Sequence, residues 1–151
     1  MSGAKAFFDT NVLLYMYGGD PDKRVRAKRL FKQHAASGHI LLSTQVVQEF
    51  YVAGSRKLGI PRRELYEATN ALLDLPLVIS GPSQIILAIQ YEEQYKISFW
   101  DALILAAAQS GGAEVLYTED LNDGQEYGPV MACNPFSSRA PGSSISDGND
   151  T

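Results

Sequence analysis

The sequence predicts an α/β fold: one domain, built as an α/β/α sandwich around a central parallel sheet. Short apolar runs alternate with longer segments of helical period, the pattern of a parallel sheet flanked by helices. At 151 residues and 45% apolar, the chain is long enough for one sizeable core. Its first apolar run, AKAFF, ends in Asp9 and passes at once into TNVLLYMY, the junction of a buried strand with a helix.

The elements follow in order. Residues 4–8 are the first strand, and a helix runs over 10–17. Asp20 and Pro21 open a second helix with a cap and then a proline at the first position, and Gly38 stops it. Residues 39–42 form a second strand. Ser43 or Thr44 caps a third helix to about residue 57, with Gly59 as its stop. Pro61 opens a fourth helix, which ends before Pro76. Residues 77–79 are a third strand. Helices follow over 82–95 and 98–110, the latter ended by Gly111 and Gly112. Residues 115–118 are a fourth strand and 130–133 a fifth. The domain is expected over residues 1–136. Residues 137–151, SSRAPGSSISDGNDT, carry little to bury and are expected to be a disordered tail.

Composition bounds the function classes. The single cysteine, Cys133, excludes an internal disulfide and reads as a small buried strand residue. No signal peptide or transmembrane segment is legible, so a cytoplasmic protein with no membrane partner is expected. Net charge is −4, yet basic charge is segregated: six of thirteen Lys and Arg residues lie between Lys23 and Lys32, and four more are Arg56, Lys57, Arg62 and Arg63. A cationic surface can therefore coexist with an acidic pocket, although a solvated helix face explains either cluster alone. Lys23, Arg24, Arg56, Lys57, Arg62 and Arg63 are the candidate contacts to a phosphate backbone.

Four acids stand where the pattern does not need them. Asp9 lies at a strand's carboxyl end, where open α/β sheets place their ligand crevice; a helix cap explains it equally well. Glu49 falls just outside the apolar arc of Val46, Val47, Phe50 and Ala53. Asp101 is embedded in SFWDALILAAA, a helix apolar on nearly every side and expected to be buried, though Ser98 and Asp101 have capping-box spacing. Asp120 follows the fourth strand in VLYTEDLNDG, with Glu119 and Asp123 beside it, where a turn would also account for it. An EF-hand does not fit the spacing. Carboxylates sharing a cleft raise one another's pKa, and a divalent cation removes that penalty. An all-oxygen set without a His or Cys pattern favours Mg²⁺ or Mn²⁺ over Zn²⁺. His34 reads as a satisfied, partly buried residue and His39 as a strand-edge one. Metal-activated water acting on a phosphodiester is the chemistry such a site suits.

FDTNVLLY, QEF, SFWDALILAAA and LYTEDLNDGQ running into CNPF, in that order, resemble the PIN domain, and in particular the VapC-type toxin ribonucleases of toxin–antitoxin pairs. The resemblance covers about residues 4–136. It implies Mg²⁺- or Mn²⁺-dependent RNA cleavage, with Asp9, Glu49, Asp101 and Asp120 as the acidic quartet for metal and catalysis. Thr10, Asn11, Thr118 and Asp123 become supporting residues. Glu119, Asp120 and Asp123 compete for the fourth position, and Asp120 is favoured. A cognate antitoxin and a homodimer are the implied protein partners. Two alternatives stay open. One is a haloacid-dehalogenase-like phosphatase, against which Asn11 stands where a second Asp is expected. The other is a non-catalytic PIN-like binding or dimerisation module.

Overall fold

The computed structural model describes residues 4–137. The elements run β1 (Lys5–Phe8), α1 (Thr10–Tyr15), α2 (Pro21–Ser37), β2 (Ile40–Ser43), α3 (Thr44–Arg56), α4 (Arg62–Leu73), β3 (Leu77–Val78), α5 (Pro82–Tyr95), α6 (Phe99–Ser110), β4 (Ala113–Tyr117), β5 (Glu126–Tyr127) and β6 (Val130–Cys133). The expected alternation is present. The proposed tail after Ser137 lies outside the described residues.

The sheet has the order β3-β2-β1-β4-β6-β5. All pairings are parallel except the hairpin of β5 with β6. The chain lays β2 and β3 to one side of β1, then returns to place β4 on the other. The order therefore reverses between β1 and β4, and α/β sheets bind ligands outside the carboxyl ends of the strands at such a point. Phe8 pairs in register with Tyr117, so Asp9 and Thr118 leave adjacent strands side by side.

Successive strand residues point to opposite faces. Phe8 meets Phe31 and His34 of α2, with ring centroids 5.4 and 5.8 Å apart, so α2 covers that face and Phe7 points to the other. His34 is satisfied as expected: its Nε2 lies 3.2 Å from the Tyr117 hydroxyl, and burial lowers its pKa. Helix α6 lies on β2, β3, β4 and β6, with α5 packed against it. Its residues Ala102–Ala108 are all buried, four of them alanines, which lets the helix approach the sheet closely. Cys133 is buried in β6, and burial pushes its thiol up to about 11.

Three local expectations are corrected. Helix α1 stops at Tyr15, two residues short, because Met16 and Tyr17 close the last turn with i→i−3 bonds to Leu13 and Leu14. Strand β5 was not anticipated: it is two residues long and too short for a periodic signal, and it is made by the reversal at Gly128, whose φ is +58°. The first turn of α6 is not enclosed: Trp100 is 62% exposed and Asp101 half-buried, because this turn projects into the crevice beyond the sheet. No helix among the described residues is long and apolar enough to cross a membrane.

Candidate active site

A cleft of about 290 Å³ opens at the carboxyl edge of β1 and β4, and Asp9, Glu49, Asp101 and Asp120 all line it. Each arrives on a different segment. Asp9 ends β1 and caps α1, accepting the Thr10 backbone N–H at 2.7 Å, so it is both a cap and a cleft residue. Glu49 comes from the middle of α3, Asp101 from the first turn of α6, and Asp120 from the segment after β4.

Hydrogen bonds tie these segments together. The Thr118 hydroxyl donates to Asp9 Oδ2 at 2.7 Å, and the Asp120 backbone N–H donates to Thr118 Oγ1 at 3.0 Å. Asn11 Nδ2 donates to Asp120 Oδ2 at 3.0 Å. The Thr10 hydroxyl donates to Glu49 Oε1 at 2.9 Å. Thr10, Asn11 and Thr118 thus each hold a carboxylate. The three acids that compete for the fourth position part in space. Glu119 points away to Lys23 and the Tyr15 hydroxyl. Asp123 accepts the Asn134 backbone N–H at 2.9 Å. Of the three, Asp120 is the one that lines the cleft.

The electrostatics are those of crowded acids. Burial pushes the Asp9 carboxyl from 3.8 up to about 7; the charges of Asp120 and Glu49 add to this, and bonds from Thr118 and Thr10 oppose it. Asp101 is raised by burial and then by Asp120 and Glu49. Asp120 is raised by burial, Glu119 and Glu49, against relief from Asn11 and Lys57.

A family model of the PIN domain matches residues 6–122. The chain belongs to the PIN domain family. Its PIN fold is similar to a chain of a toxin–antitoxin complex from Klebsiella pneumoniae, with a TM-score of 0.67 at 24% identity, covering 87% of this chain and 98% of that one. It is also similar to VapC20 of Mycobacterium tuberculosis, a sarcin–ricin loop cleaving toxin, with a TM-score of 0.62 at 21% identity, covering 77% and 90%. No curated protein matches the sequence at a significant level.

Whether this PIN cleft suits a divalent ion is decided by its oxygens. Among the described residues, no three His, Cys, Asp or Glu side chains form a group able to hold a metal ion by themselves. The four acids share a cleft but do not close into a cage. Mutual repulsion favours separation, and the bonds from Thr10 and Asn11 engage Glu49 and Asp120 individually. Mg²⁺ does not need a cage, since it usually binds one or two carboxylates and keeps several waters. Two further oxygens fit such an ion and its waters. Asn11 Oδ1 and Gln45 Oε1 are buried without a hydrogen-bond partner, and both residues line the cleft. Their amide orientations are set by the Nδ2 and Nε2 bonds to Asp120 and Glu49. The donor set is therefore all oxygen and in need of positive charge.

Gln45 was missed by the sequence reading. It stands one turn before Glu49 on α3, donating to Glu49 Oε2 at 3.1 Å and to the Trp100 carbonyl at 3.3 Å. Its i,i+4 spacing from an anomalous acid was the available signal. The candidate cations separate into groups. Lys57 lines the cleft. Arg24, Arg56 and Arg62 are exposed. Arg63 pairs with Glu67 at 3.6 Å across open helix surface. Lys23 is already paired: its ammonium lies 2.5 Å from Glu119 and over the rings of Tyr15 and Phe136, with its side chain 32% exposed.

Proposed function

We propose that this chain is a divalent-metal-dependent, cytoplasmic endoribonuclease, the toxin of a VapBC-type pair. Asp9, Glu49, Asp101 and Asp120 are its catalytic acids, and Mg²⁺ or Mn²⁺ is its cofactor. The observation that carries it is the meeting of four carboxylates from four segments in one cleft at the sheet's reversal point. Likeness to a chain of a toxin–antitoxin complex supports a cognate antitoxin as partner, and a second copy of the chain is the other proposed partner.

Asp9, Glu49, Asp101 and Asp120 would hold the ion between them, one or two of them directly and the others through its bound waters. When bound, a divalent cation lowers the pKa of water and neutralises charge on a phosphoryl oxygen. The chain's own residues do the remaining work. Thr118 and the Thr10 N–H fix both Asp9 oxygens in place. Thr10 and Gln45 fix both Glu49 oxygens, presenting an oriented acceptor for a proton. Lys57 supplies positive charge facing Asp120.

Incubation of the full chain with RNA and Mg²⁺ or Mn²⁺ should give internal cleavage that EDTA stops. Asp9→Asn and Asp101→Asn should each slow it by roughly 100-fold or more, beyond what second-layer substitutions cost at metal sites. RNA left intact by folded parent protein with either metal would refute the ribonuclease role. An acid-stable phosphoryl group on Asp9 would point to the phosphatase alternative instead.

A further inference from the structure

Trp100 is the chain's one tryptophan, and most of its ring stands in water at 62% exposure. It precedes Asp101 in the first turn of α6, and both residues line the acidic cleft. One contact bears on the ring and another on its backbone. It packs edge-on against Phe99, with centroids 5.2 Å apart at 78°. Its backbone carbonyl accepts from Gln45 Nε2, the atom that also donates to Glu49. Gln45 thereby ties the backbone that carries the ring to a carboxylate of the cleft. Leu14, Ala53 and Ile104 add apolar surface to the same walls, and Lys57 adds a cation.

An exposed aromatic face, an apolar wall and a cation beside an acidic floor match the parts of one nucleotide. Bases stack on exposed aromatic rings, whereas phosphates seek positive charge. A paired base already has both faces covered by its neighbours, so only an unpaired one can lie on the ring. Resting on the ribonuclease role proposed above, we infer that Trp100 is the stacking platform for an unpaired nucleobase adjoining the phosphodiester that enters the cleft. The ring then selects unpaired over paired RNA with little preference among bases, because every base has a π-face.

The test uses the full chain carrying Asp9→Asn, in Mg²⁺ buffer, with a random-sequence unstructured oligoribonucleotide. Its binding is followed by anisotropy of a label on the RNA and by the protein's own tryptophan fluorescence. Saturable quenching by the unpaired strand is expected, with little by the same strand annealed to its complement or carrying abasic sites. Trp100→Ala should weaken binding of the unpaired strand by roughly 5- to 100-fold, and Trp100→Phe should restore most of it. Folding of each variant is checked by circular dichroism. Fluorescence that stays constant while anisotropy saturates would overturn the inference, as would a folded Ala variant that binds like its parent. A change in sedimentation with RNA affinity unchanged would assign the ring to a protein interface and overturn it too. These outcomes leave the ribonuclease role standing, provided that unsubstituted protein cleaves RNA in the same buffer; failure of that cleavage removes both.

Discussion

Asp9 is 6% exposed and has no basic partner within salt-bridge distance among the described residues. Its burial therefore works against its charge. With the folded pKa raised from 3.8 to about 7, folded protein binds more protons than unfolded protein between those limits. The contribution of Asp9 to stability in metal-free buffer should then be greatest below about pH 4, fall as pH rises to about 7, and level off. The span corresponds to roughly 4 kcal/mol. Asp101 and Asp120 are raised in the same direction and steepen the fall. Asp9→Asn should flatten the curve, an effect that urea denaturation at several pH values measures directly. A parent-minus-variant difference that rises across this window would refute the assignment. The four acids were legible in the sequence because each interrupts an apolar or turn pattern. Gln45 and Trp100 were not, because a polar residue on a helix face and a tryptophan beside an apolar run acquire meaning only from what another segment places opposite them.

Among the elements, α6 is the most tightly placed. Its run of buried alanines lets the helix axis lie near the sheet, and Gly111 continues that approach into the turn before β4. The φ of Gly111 is −86°, so no unusual backbone requires glycine there. Space does: a Cβ would stand 2.3 Å from Leu41 Cδ2 and 2.8 Å from Val78 Cγ2. Gly111→Ala should cost about 1–3 kcal/mol by overpacking. Guanidinium denaturation should show a lower midpoint with an unchanged slope. An unaltered midpoint would mean that β2 and β3 yield more easily than their burial suggests. The order of strands and helices was readable from the alternation of short apolar runs with capped helical periods. Strand β5 and the open first turn of α6 escaped because both depend on contacts across the fold.

At the scale of the whole molecule, the ribonuclease proposed above requires an acidic chain to attract a polyanion. Arg62 and Arg63 open α4 and are exposed, and the exposed Arg63–Glu67 pair is too weakly held to withdraw the guanidinium from other partners. Replacing both by Gln should weaken binding of different RNAs alike. The plot of log affinity against log salt should become shallower by about 0.7 for each cation that contacts a phosphate. Filter binding across salt concentrations, with Asp9→Asn preventing turnover, supplies the measurement. An identical slope in a folded variant would place the RNA path elsewhere. Segregated basic charge was visible in the sequence, but the pairing of Lys23 with Glu119 was not, since the two are distant in the chain.

The bond between Thr118 and Asp9 joins residues 109 positions apart. Ribosomes add about 5–20 residues per second, so roughly 5–20 s separate the synthesis of these two residues. During that interval β1 has β2 available beside it but no β4, and the Asp9 carboxylate lacks the hydroxyl that orients it. Asp120 arrives later still. A nascent or prematurely terminated chain therefore carries the first acid without the last, and the cleft comes into being only when synthesis of the sheet's second half is under way. Assembly of the cleft thus trails the synthesis of its first acid by an interval that the strand order sets.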